Sequence, residues 1–300
     1  MGGGLLSPRS PGRGEQMRVS IVIPAYNEET HLMACLDAIA AQTVRPYEVI
    51  VVDNNSTDFT VSVARSYPFV RVVNEHRQGI AYARDAGFDA ARGNIIGRID
   101  ADTLLEPDWV AQLQRIFLDP SIEAVSGSVS FNDAPFAAAL SRIDWALRHY
   151  LANRLMRSGE LFLFGGNMAM RTALWHKVRR TLCHNPEYHE DMDLAAHLAH
   201  SKHHVSFNDK LRASVSVRRI DTPFSSYYPY VMANSRTYAA HGLKGRFYMW
   251  PVEVFVVAAY GPARLLYRSY DRATGTLSLK HAFRRTNACR VSPISESIKA

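Results

Sequence analysis

The chain has 300 residues, which suits one large domain or two small ones, and its 47% apolar and 21% charged residues are typical of a globular protein. This composition excludes a wholly disordered chain, a collagen and a coiled coil. Because 35 Lys and Arg exceed 28 Asp and Glu, the formal net charge is +7, which fits a nucleic acid, a membrane surface or an anionic substrate as partner.

The positive charge lies at the two ends of the sequence. Residues 1–18 carry three arginines against one glutamate, and residues 264–300 carry eight Lys and Arg against two acids. The stretch 19–263 is therefore close to neutral. A nucleic-acid enzyme usually carries its positive charge along a groove of the body, so we expect no nucleic-acid partner. Residues 1–16 are rich in Gly, Pro, Ser and Arg, which predicts a disordered leader and not a secretory signal.

Cysteines and histidines show no metal signature in the sequence. Cys35, Cys183 and Cys289 are widely spaced and form no CxxC pair, which argues against a zinc motif or a disulfide framework and fits a reducing compartment. Several of the 12 histidines fall within 184–204 without metal-ligand spacing. Most of them are interpreted as surface residues.

The first part of the chain alternates strand and helix patterns. Buried strands are predicted at 19–23, 47–52, 70–73 and 95–99, with helices at 29–41, 79–92 and 109–117. Strands that alternate with helices of this size predict a parallel sheet with right-handed crossovers. The fold class is therefore α/β.

Beyond residue 120 the pattern is less regular. The predicted elements are a strand at 124–130, a helix at 136–156, a strand–turn–strand unit at 161–170, a helix at 190–200 and short strands near 204–207 and 211–217. The long helix is expected to bury a stripe formed by Phe136, Leu140, Ile143, Leu147 and Leu151. No internal repeat occurs within 19–263.

Residues 247–267 form the most apolar stretch. A membrane span needs about 20 predominantly apolar residues, and Glu253, Pro251 and Pro262 interrupt this one. A core helix is the first interpretation. An interfacial helix is the second, because aromatic residues followed by a basic tail suit a membrane surface. A true span is the third.

Polar residues follow three of the predicted strands, where ligands bind in an open α/β sheet. Pro24–Glu29 follows the first strand, Asp53–Asp58 the second, and Asp100-Ala101-Asp102 the fourth. The first strand lacks a GxGxxG turn, and no P-loop sequence occurs. An acidic crevice can bind a diphosphate through a divalent cation, for which Asp oxygens are good ligands.

Five sequence motifs now resemble a known family when they are taken together. VSIVIPAYNEE, VVDNNSTD, RIDADT, GGNMAMR and HEDMDLA, in that order, resemble a family 2 inverting glycosyltransferase of GT-A fold. The resemblance covers about residues 17–220. It implies a mostly parallel central sheet flanked by helices, followed by a helical C-terminal extension. The domains would be a leader at 1–16, a GT-A domain at 17–220, a helical, membrane-associated segment at 221–270 and a basic tail at 271–300.

The resemblance implies a donor site built from the strand ends. The nucleotide-binding residues would be Pro24, Ala25, Tyr26, Glu28, Asp53, Arg84 and Asp100. Asp53 would accept a hydrogen bond from the base, as family members do with the uracil N–H, and Arg84 would lie near the phosphates. Asp102 would bind Mn²⁺ or Mg²⁺ bridging the diphosphate, with Asp100 near the ribose or the metal.

The resemblance also implies where the transfer would take place. Asp191, in the catalytic pair Glu190–Asp191, would be the general base, and Gly165, Gly166 and Asn167 would border the sugar and acceptor site. The acceptor hydroxyl must lose its proton as it attacks, so a carboxylate must face it. The leaving group is a nucleoside diphosphate, whose growing charge a metal neutralises.

Each candidate residue also has a structural interpretation. Asp53 would suit a turn, and Asp100 or Asp102 would suit a helix cap. Glu190, Asp191 and Asp193 would suit the first turn of a helix. Arg84 would suit an exposed helix face. For Asp53, the Asp100–Asp102 pair and Asp191 the site interpretation is preferred. For Arg84 the two interpretations are equally weighted.

The functional prediction is a metal-dependent glycosyltransferase with a nucleotide-sugar donor, UDP-linked, and a hydroxyl acceptor that is lipid-linked or a saccharide. The absence of a QxxRW motif after the Glu-Asp pair favours transfer of one sugar over polymerisation. The expected location is the cytoplasm or the inner face of an anionic membrane, in cell-envelope assembly. A sugar nucleotidyltransferase and an inactive nucleotide-sugar-binding module are the alternatives. PAYNEE does not match the first, and the presence of Asp102 and Asp191 argues against the second.

Overall fold

A computed structural model describes residues 17–157, 160–271 and 274–278. The predicted leader at 1–16 and most of the predicted basic tail at 271–300 lie outside the described residues. The described part contains an eight-stranded sheet with helices on both faces and a helical C-terminal region.

The first half of the sheet is parallel, as the sequence predicts. Its strands are β1 (Val19–Ala25), β2 (Glu48–Asp53), β3 (Val70–Asn74) and β4 (Ile95–Ile99), connected by helices α1 (Leu32–Ala40), α2 (Thr60–Arg65) and α3 (Ile80–Ala90). Because the spatial order is β3-β2-β1-β4, the direction of winding changes between β1 and β4. Such a switch point opens a crevice at the carboxyl ends of the strands.

The second half of the sheet is mixed. It contains β5 (Leu104–Leu105), β6 (Ala124–Phe131), β7 (Asn167–Arg171) and β8 (Val205–Val215). β7 pairs antiparallel with β4 and β6, whereas β6 pairs parallel with β8, which pairs antiparallel with β5. Four of the seven strand pairs in this described sheet are parallel, which confirms the predicted fold class.

Two strand predictions in this half need correction. The segments near 204–207 and 211–217 form the single strand β8, because its pairing with β6 continues past an irregularity at Gly127/Ser128. Of the unit at 161–170, only β7 forms. The preceding residues pair with no strand, and the Phe164 N–H donates to the Ser126 hydroxyl (3.1 Å) instead of to a neighbouring backbone.

Helices cover both faces of the sheet. They include α4 (Trp109–Ile116), α5 (Ala137–Arg157), α6 (Thr172–Val178) and α7 (Glu190–His200). Leu36 and Trp109 lie in the core on one face, and Phe88, Trp175 and Leu194 lie in the core on the other. α7 begins at Glu190, as the sequence predicts.

The predicted buried stripe of α5 is only half correct. Leu151 is 5% exposed, but Phe136 and Ile143 are 67% and 66% exposed. Periodicity identifies the apolar face of a helix and does not show whether another element covers it. Phe136, just before α5, and the first half of α5 therefore present apolar side chains at the surface of the described structure.

The C-terminal region is helical, as expected. A 3-10 helix (Arg218–Asp221) precedes α8 (Phe224–Val231), α9 (Ala233–Ala240), α10 (Gly245–Ala258) and α11 (Tyr260–Ser269), and a short hairpin follows, β9 (Tyr270–Asp271) and β10 (Thr276–Leu277). The apolar stretch 247–267 is thus divided between α10 and α11. Among the described residues, no helix combines the length and apolarity that a membrane span requires.

Two arginines counted in the basic end of the chain have internal partners. Arg264 contacts the Asp221 carboxylate (3.3 Å), and Arg268 forms a short contact with the same carboxylate. These ion pairs attach α11 to the 3-10 helix. The positive excess of 264–300 is therefore not all available to an external partner.

Candidate active site

The carboxyl ends of β1, β2 and β3 lie level with one another. Ala25 pairs with Asp53, and Asp53 pairs with Asn74. The loops after β1 and β2 are joined, because the Asn27 side chain accepts the Thr57 N–H (2.8 Å). Asn27 has a φ of 53°, in the left-handed region that Asn tolerates better than most residues. Pro24 and Ala25 pair with Val52 and Asp53 at the ends of β1 and β2, and Tyr26 and Glu28 belong to the loop that follows.

Asp53 satisfies the turn interpretation without excluding the binding one. Its Oδ1 accepts the Ser56 N–H at 3.1 Å, which is an Asx-type turn. The side chain is half-buried. Because an ionised carboxylate has about four acceptor positions, this bond leaves Asp53 able to accept a further hydrogen bond from a ligand.

Asp100 and Asp102 follow β4 and cap no helix. The next helix, α4, begins only at Trp109, so the helix-cap interpretation is wrong. The Asp100 side chain is 37% exposed, whereas that of Asp102 is 7% exposed. Thr103 fixes the turn, since its hydroxyl accepts the Asp100 N–H (3.2 Å) and donates to the Gly166 carbonyl (3.2 Å).

Arg98 is a site residue that the sequence reasoning missed. Its guanidinium is 5% exposed and contacts Glu190 (2.7 Å) and Asp100 (3.1 Å). Burial by itself would lower the pKa of Arg98, but the Asp100 and Glu190 carboxylates outweigh it and raise the pKa above its ordinary value. The signal was a charged residue inside the apolar strand Ile95–Ile99.

Gly165 leaves the space that Arg98 occupies. A Cβ atom at residue 165 would lie 1.3 Å from Arg98 Nη1. The Gly165 N–H donates to Asp191 Oδ2 at 2.8 Å. The Gly-Gly turn therefore brings a strand arginine and a helix carboxylate to the same place, which requires a residue without a side chain.

The Glu190–Asp191 pair forms the first turn of α7. Asp191 Oδ1 accepts the Met192 N–H (2.8 Å), and its Oδ2 accepts the Gly165 N–H. Glu190 is 8% exposed and is held by Arg98. The helix-terminal interpretation of these acids is thus correct in position, and it is compatible with a catalytic one. Asp193 differs, since it is fully buried.

Two predicted site residues lie away from open space. The Arg84 guanidinium is 1% exposed, donates to the Glu190 carbonyl (2.7 Å) and contacts Asp85 (2.7 Å). This burial excludes the exposed-face interpretation and argues against contact with nucleotide phosphates. Asn167 is fully buried. Its side-chain oxygen accepts the Trp109 indole N–H (2.8 Å), and its side-chain nitrogen donates to the carbonyls of Ser128 and Leu211. It supports the sheet behind the Gly-Gly turn.

Arg218 lies in no recognisable sequence motif. It extends from the C-terminal region and contacts two acids of the predicted donor site. Its guanidinium donates to Asp102 Oδ2 (2.8 Å), to both Glu28 oxygens (2.7 and 2.6 Å) and contacts His31 Nδ1 (2.9 Å). Burial would lower the pKa of Arg218, but Asp102 and Glu28 outweigh this effect and raise it. A cation from residue 218 thus neutralises the acids of two strand ends.

A cavity of about 510 Å³ connects these carboxylates with the C-terminal helices. At one end it is lined by Arg98, Asp100, Asp102, Gly166, Glu190 and Asp191. At the other end it is lined by apolar side chains of β8, α8, α10 and α11, including Val215, Val231, Val256, Ala263 and Leu266. We call the first set of residues the charged end of the cavity and the second set its apolar end; Arg148 and Arg219 also line the cavity.

The charged end has donors that suit a divalent cation. Asp100 and Asp102 supply carboxylate oxygens, the ligands that Mg²⁺ and Mn²⁺ prefer. His189, Glu190 and Asp191, which line the same cavity, bring three further ligand atoms within 4.8 Å of one another. The ion pair between the Arg218 guanidinium and the Asp102 carboxylate shows that a positive charge already lies beside Asp102. The residues present therefore fit a divalent metal.

Comparisons with known proteins give the family. The model of "Glycosyl transferase family 2" matches residues 20–179, which is more than half of the chain. The chain belongs to this family.

Relatives and solved structures agree with this assignment. The chain is 34% identical to "Putative glycosyltransferase EpsH" of Bacillus subtilis (strain 168) over 34% of this chain and 30% of that protein. It is 31% identical to "Glycosyltransferase AglE" of Haloferax volcanii over 42% of this chain and 44% of that protein. The matches thus span less than half the length of these relatives.

The fold is shared with two further glycosyltransferases of known structure. The mannosyltransferase PcManGT from Pyrobaculum calidifontis, in complex with GDP-Man and Mn²⁺, has a TM-score of 0.59 at 21% identity and covers 85% of this chain and 76% of that one. Glucosyl-3-phosphoglycerate synthase from Mycobacterium tuberculosis, in complex with Mn²⁺, UDP-glucose and phosphoglyceric acid, has a TM-score of 0.53 at 19% identity, covering 76% and 80%. The predicted GT-A fold is confirmed.

Proposed function

We propose that this protein is an inverting, divalent-metal-dependent glycosyltransferase that transfers one sugar from a nucleotide-diphosphate sugar, UDP-linked, to the hydroxyl of an acceptor with an apolar portion. The observation that carries the proposal is the cavity with Asp191 at its charged end and Val256 and Leu266 at its apolar end. A free saccharide would gain little from that apolar lining, whereas a lipid-linked acceptor would bury its chain there.

The charged end supports the transfer chemistry. In this mechanism the acceptor oxygen bonds to the anomeric carbon as the bond from that carbon to the diphosphate breaks, and the diphosphate leaves with the electron pair. Asp191 accepts the acceptor proton, since both of its oxygens are oriented by backbone N–H groups and it lines the cavity. Asp100 and Asp102 would hold Mn²⁺ or Mg²⁺, which neutralises the charge of the leaving diphosphate.

The donor site would lie on the strand ends. Asp53 would accept the N–H of the base, with Tyr26 beside it in the loop after β1. Both uracil and guanine carry such an N–H group, so a UDP-sugar is the first expectation and GDP-mannose, the donor bound to PcManGT, is the necessary comparison. Family membership favours transfer to an acceptor over the sugar nucleotidyltransferase alternative.

The surface around the apolar end supports a location at an anionic membrane. The apolar face, as we define it, consists of the exposed side chains Phe247, Trp250, Val254 and Phe255 of α10 and Leu265 and Leu266 of α11. Leu266 belongs both to the apolar face and to the apolar end of the cavity. Arg236 and Arg246 line a groove with Phe247 and Trp250, which suits a lipid phosphate beside an acyl chain.

The test uses the full chain with Mn²⁺, a panel of nucleotide sugars that includes UDP-glucose and GDP-mannose, and alkyl glycosides of increasing chain length as acceptors. We expect diphosphate release with one donor and a KM for the acceptor that falls as the alkyl chain lengthens. Asp102→Asn should abolish Mn²⁺-dependent activity. Asp108 is an exposed aspartate in the same part of the sequence, and Asp108→Asn should retain this activity. Equal KM values for the free sugar and its alkyl glycosides would contradict the apolar acceptor.

A further inference from the structure

Four possible metal ligands converge on α7 outside the cavity. The ligand atoms of Cys183, Asp193, His197 and His241 all lie within 4.8 Å of one another. Asp193 and His197 are one turn apart on α7, Cys183 lies in the preceding loop and His241 follows α9. We call these four residues the Cys-His cluster. Side chains two residues apart on a helix point in nearly opposite directions, so Asp193 faces away from Asp191 and the cavity.

The spacing within the Cys-His cluster is close to that of a tetrahedral metal site. Asp193 Oδ1 lies 2.8 Å from His241 Nε2 and 3.6 Å from His197 Nε2. Cys183 Sγ lies 3.7 Å from His197 Nε2. Bonds of 2.0 to 2.3 Å to zinc in tetrahedral geometry separate ligand atoms by about 3.3 to 3.8 Å. Small side-chain shifts would therefore complete the coordination.

The charge of Asp193 points to a cation at the same place. Asp193 is fully buried, and in the described structure no lysine or arginine forms an ion pair with it. Its Oδ2 accepts the Cys183 N–H at 3.0 Å, which leaves Oδ1 directed at the two imidazoles. A buried carboxylate is costly unless a positive charge compensates it. A metal ion bound by Oδ1 and both imidazoles would provide that charge.

We propose that the Cys-His cluster binds one Zn²⁺ as a closed structural site. A thiolate and two imidazoles with one carboxylate are the ligands that zinc takes in proteins, whereas Mg²⁺ and Mn²⁺ favour oxygen. Four protein ligands leave no open position for a substrate. Because His241 belongs to the C-terminal region and Asp193 to α7, the ion fixes the helix that carries Glu190 and Asp191 against α9.

The experiment measures metal content and needs no transferase activity, so its failure is distinct from failure of the proposed function. The full chain carrying Asp102→Asn, which disables the predicted donor metal site, is equilibrated with Zn²⁺, desalted and analysed by inductively coupled plasma mass spectrometry. We expect one Zn²⁺ per chain and a higher Tm than in EDTA. Co²⁺ in place of Zn²⁺ should give a thiolate charge-transfer band.

Variants identify the ligands. Cys183→Ser, a nearly isosteric change, should weaken Zn²⁺ binding at least about tenfold and abolish the Co²⁺–thiolate band. His241→Ala should weaken binding similarly, with circular dichroism as the check on folding. His176→Ala, an exposed histidine on α6, should bind like the parent. Zinc absent from the Asp102→Asn chain, or equal zinc binding with and without Cys183→Ser, would overturn the proposal.

Discussion

Two regions of the molecule line the same cavity with opposite chemistry. In the sheet region, residues 17–215, the side chains at the charged end include Asp100, Asp102 and Asp191, each positioned where a strand ends or a helix begins. In the C-terminal helical region, residues 218–269, the cavity-lining side chains include Val256 and Leu266 of the apolar end, on helices that also expose aromatic residues. In the proposed function, charged and directional contacts would hold the diphosphate donor, whereas buried apolar area would hold the acceptor.

Arg218 belongs to the second region and acts in the first. It pairs with Glu28, 190 residues away in sequence, and with Asp102, 116 residues away. The residues of the proposed donor site therefore come from both regions. Variants in each region can test the separate contributions of the sheet region and the C-terminal helical region.

The largest expected effect tests the sheet region. Asp191→Asn should reduce the transfer rate by about a thousandfold, because the amide cannot accept the acceptor proton. Binding of the nucleotide sugar, measured by calorimetry, should be retained. Glu187→Gln, an exposed acid in the loop before α7, is the control and should keep full activity. If Asp191→Asn instead lost donor binding, Asp191 would be assigned to donor binding and not to the role of general base.

The next effect tests the contact between the regions. Arg218→Gln should lower the free energy of unfolding in EDTA by about 3 kcal/mol, because Glu28 and Asp102 lose their cationic partner. Mn²⁺ should then raise the Tm more in the variant than in the parent, since Arg218 no longer competes for Asp102.

Thermal unfolding with and without Mn²⁺ measures both effects of Arg218→Gln. Arg212→Gln, an exposed arginine on β8, is the control and should behave like the parent. An unchanged Tm in EDTA would show that Arg218 does not stabilise the acids.

A smaller effect tests the packing of Arg98. Gly165→Ala should cost about 2 kcal/mol of stability and reduce activity, because the new methyl group would displace the Arg98 guanidinium. Gly261→Ala provides a matched control, since a Cβ there meets no atom within 4 Å. Chemical denaturation compares the two. Equal stabilities would mean that Arg98 can move without consequence.

The smallest effect tests the C-terminal helical region. Phe255→Ser should weaken binding to anionic liposomes by roughly tenfold, because one aromatic side chain no longer enters the lipid. Activity on a water-soluble acceptor should not change. Phe59→Ser is the control, since Phe59 and Phe255 are both 72% exposed and Phe59 lies outside the apolar face. Equal co-sedimentation of the two variants would refute a membrane role for α10.

The sequence by itself determined the strands of the parallel half and the acids that follow them. Apolar runs such as Ile95–Ile99 are local signals, and in parallel strands the carboxyl ends meet at one edge, so Asp53 and Asp100 could be placed without coordinates. The pair Glu190–Asp191 could likewise be placed at the start of a helix.

Only the tertiary structure decided the rest. Arg98 and Arg218 became site residues through contacts with residues about 90 to 190 positions away, and such contacts leave no local pattern. The Cys-His cluster draws on three segments, so no ligand spacing appears in the sequence. The exposure of Phe136 and Ile143 was hidden for a related reason: periodicity defines an apolar face, whereas its burial depends on whether another part of the chain packs against it.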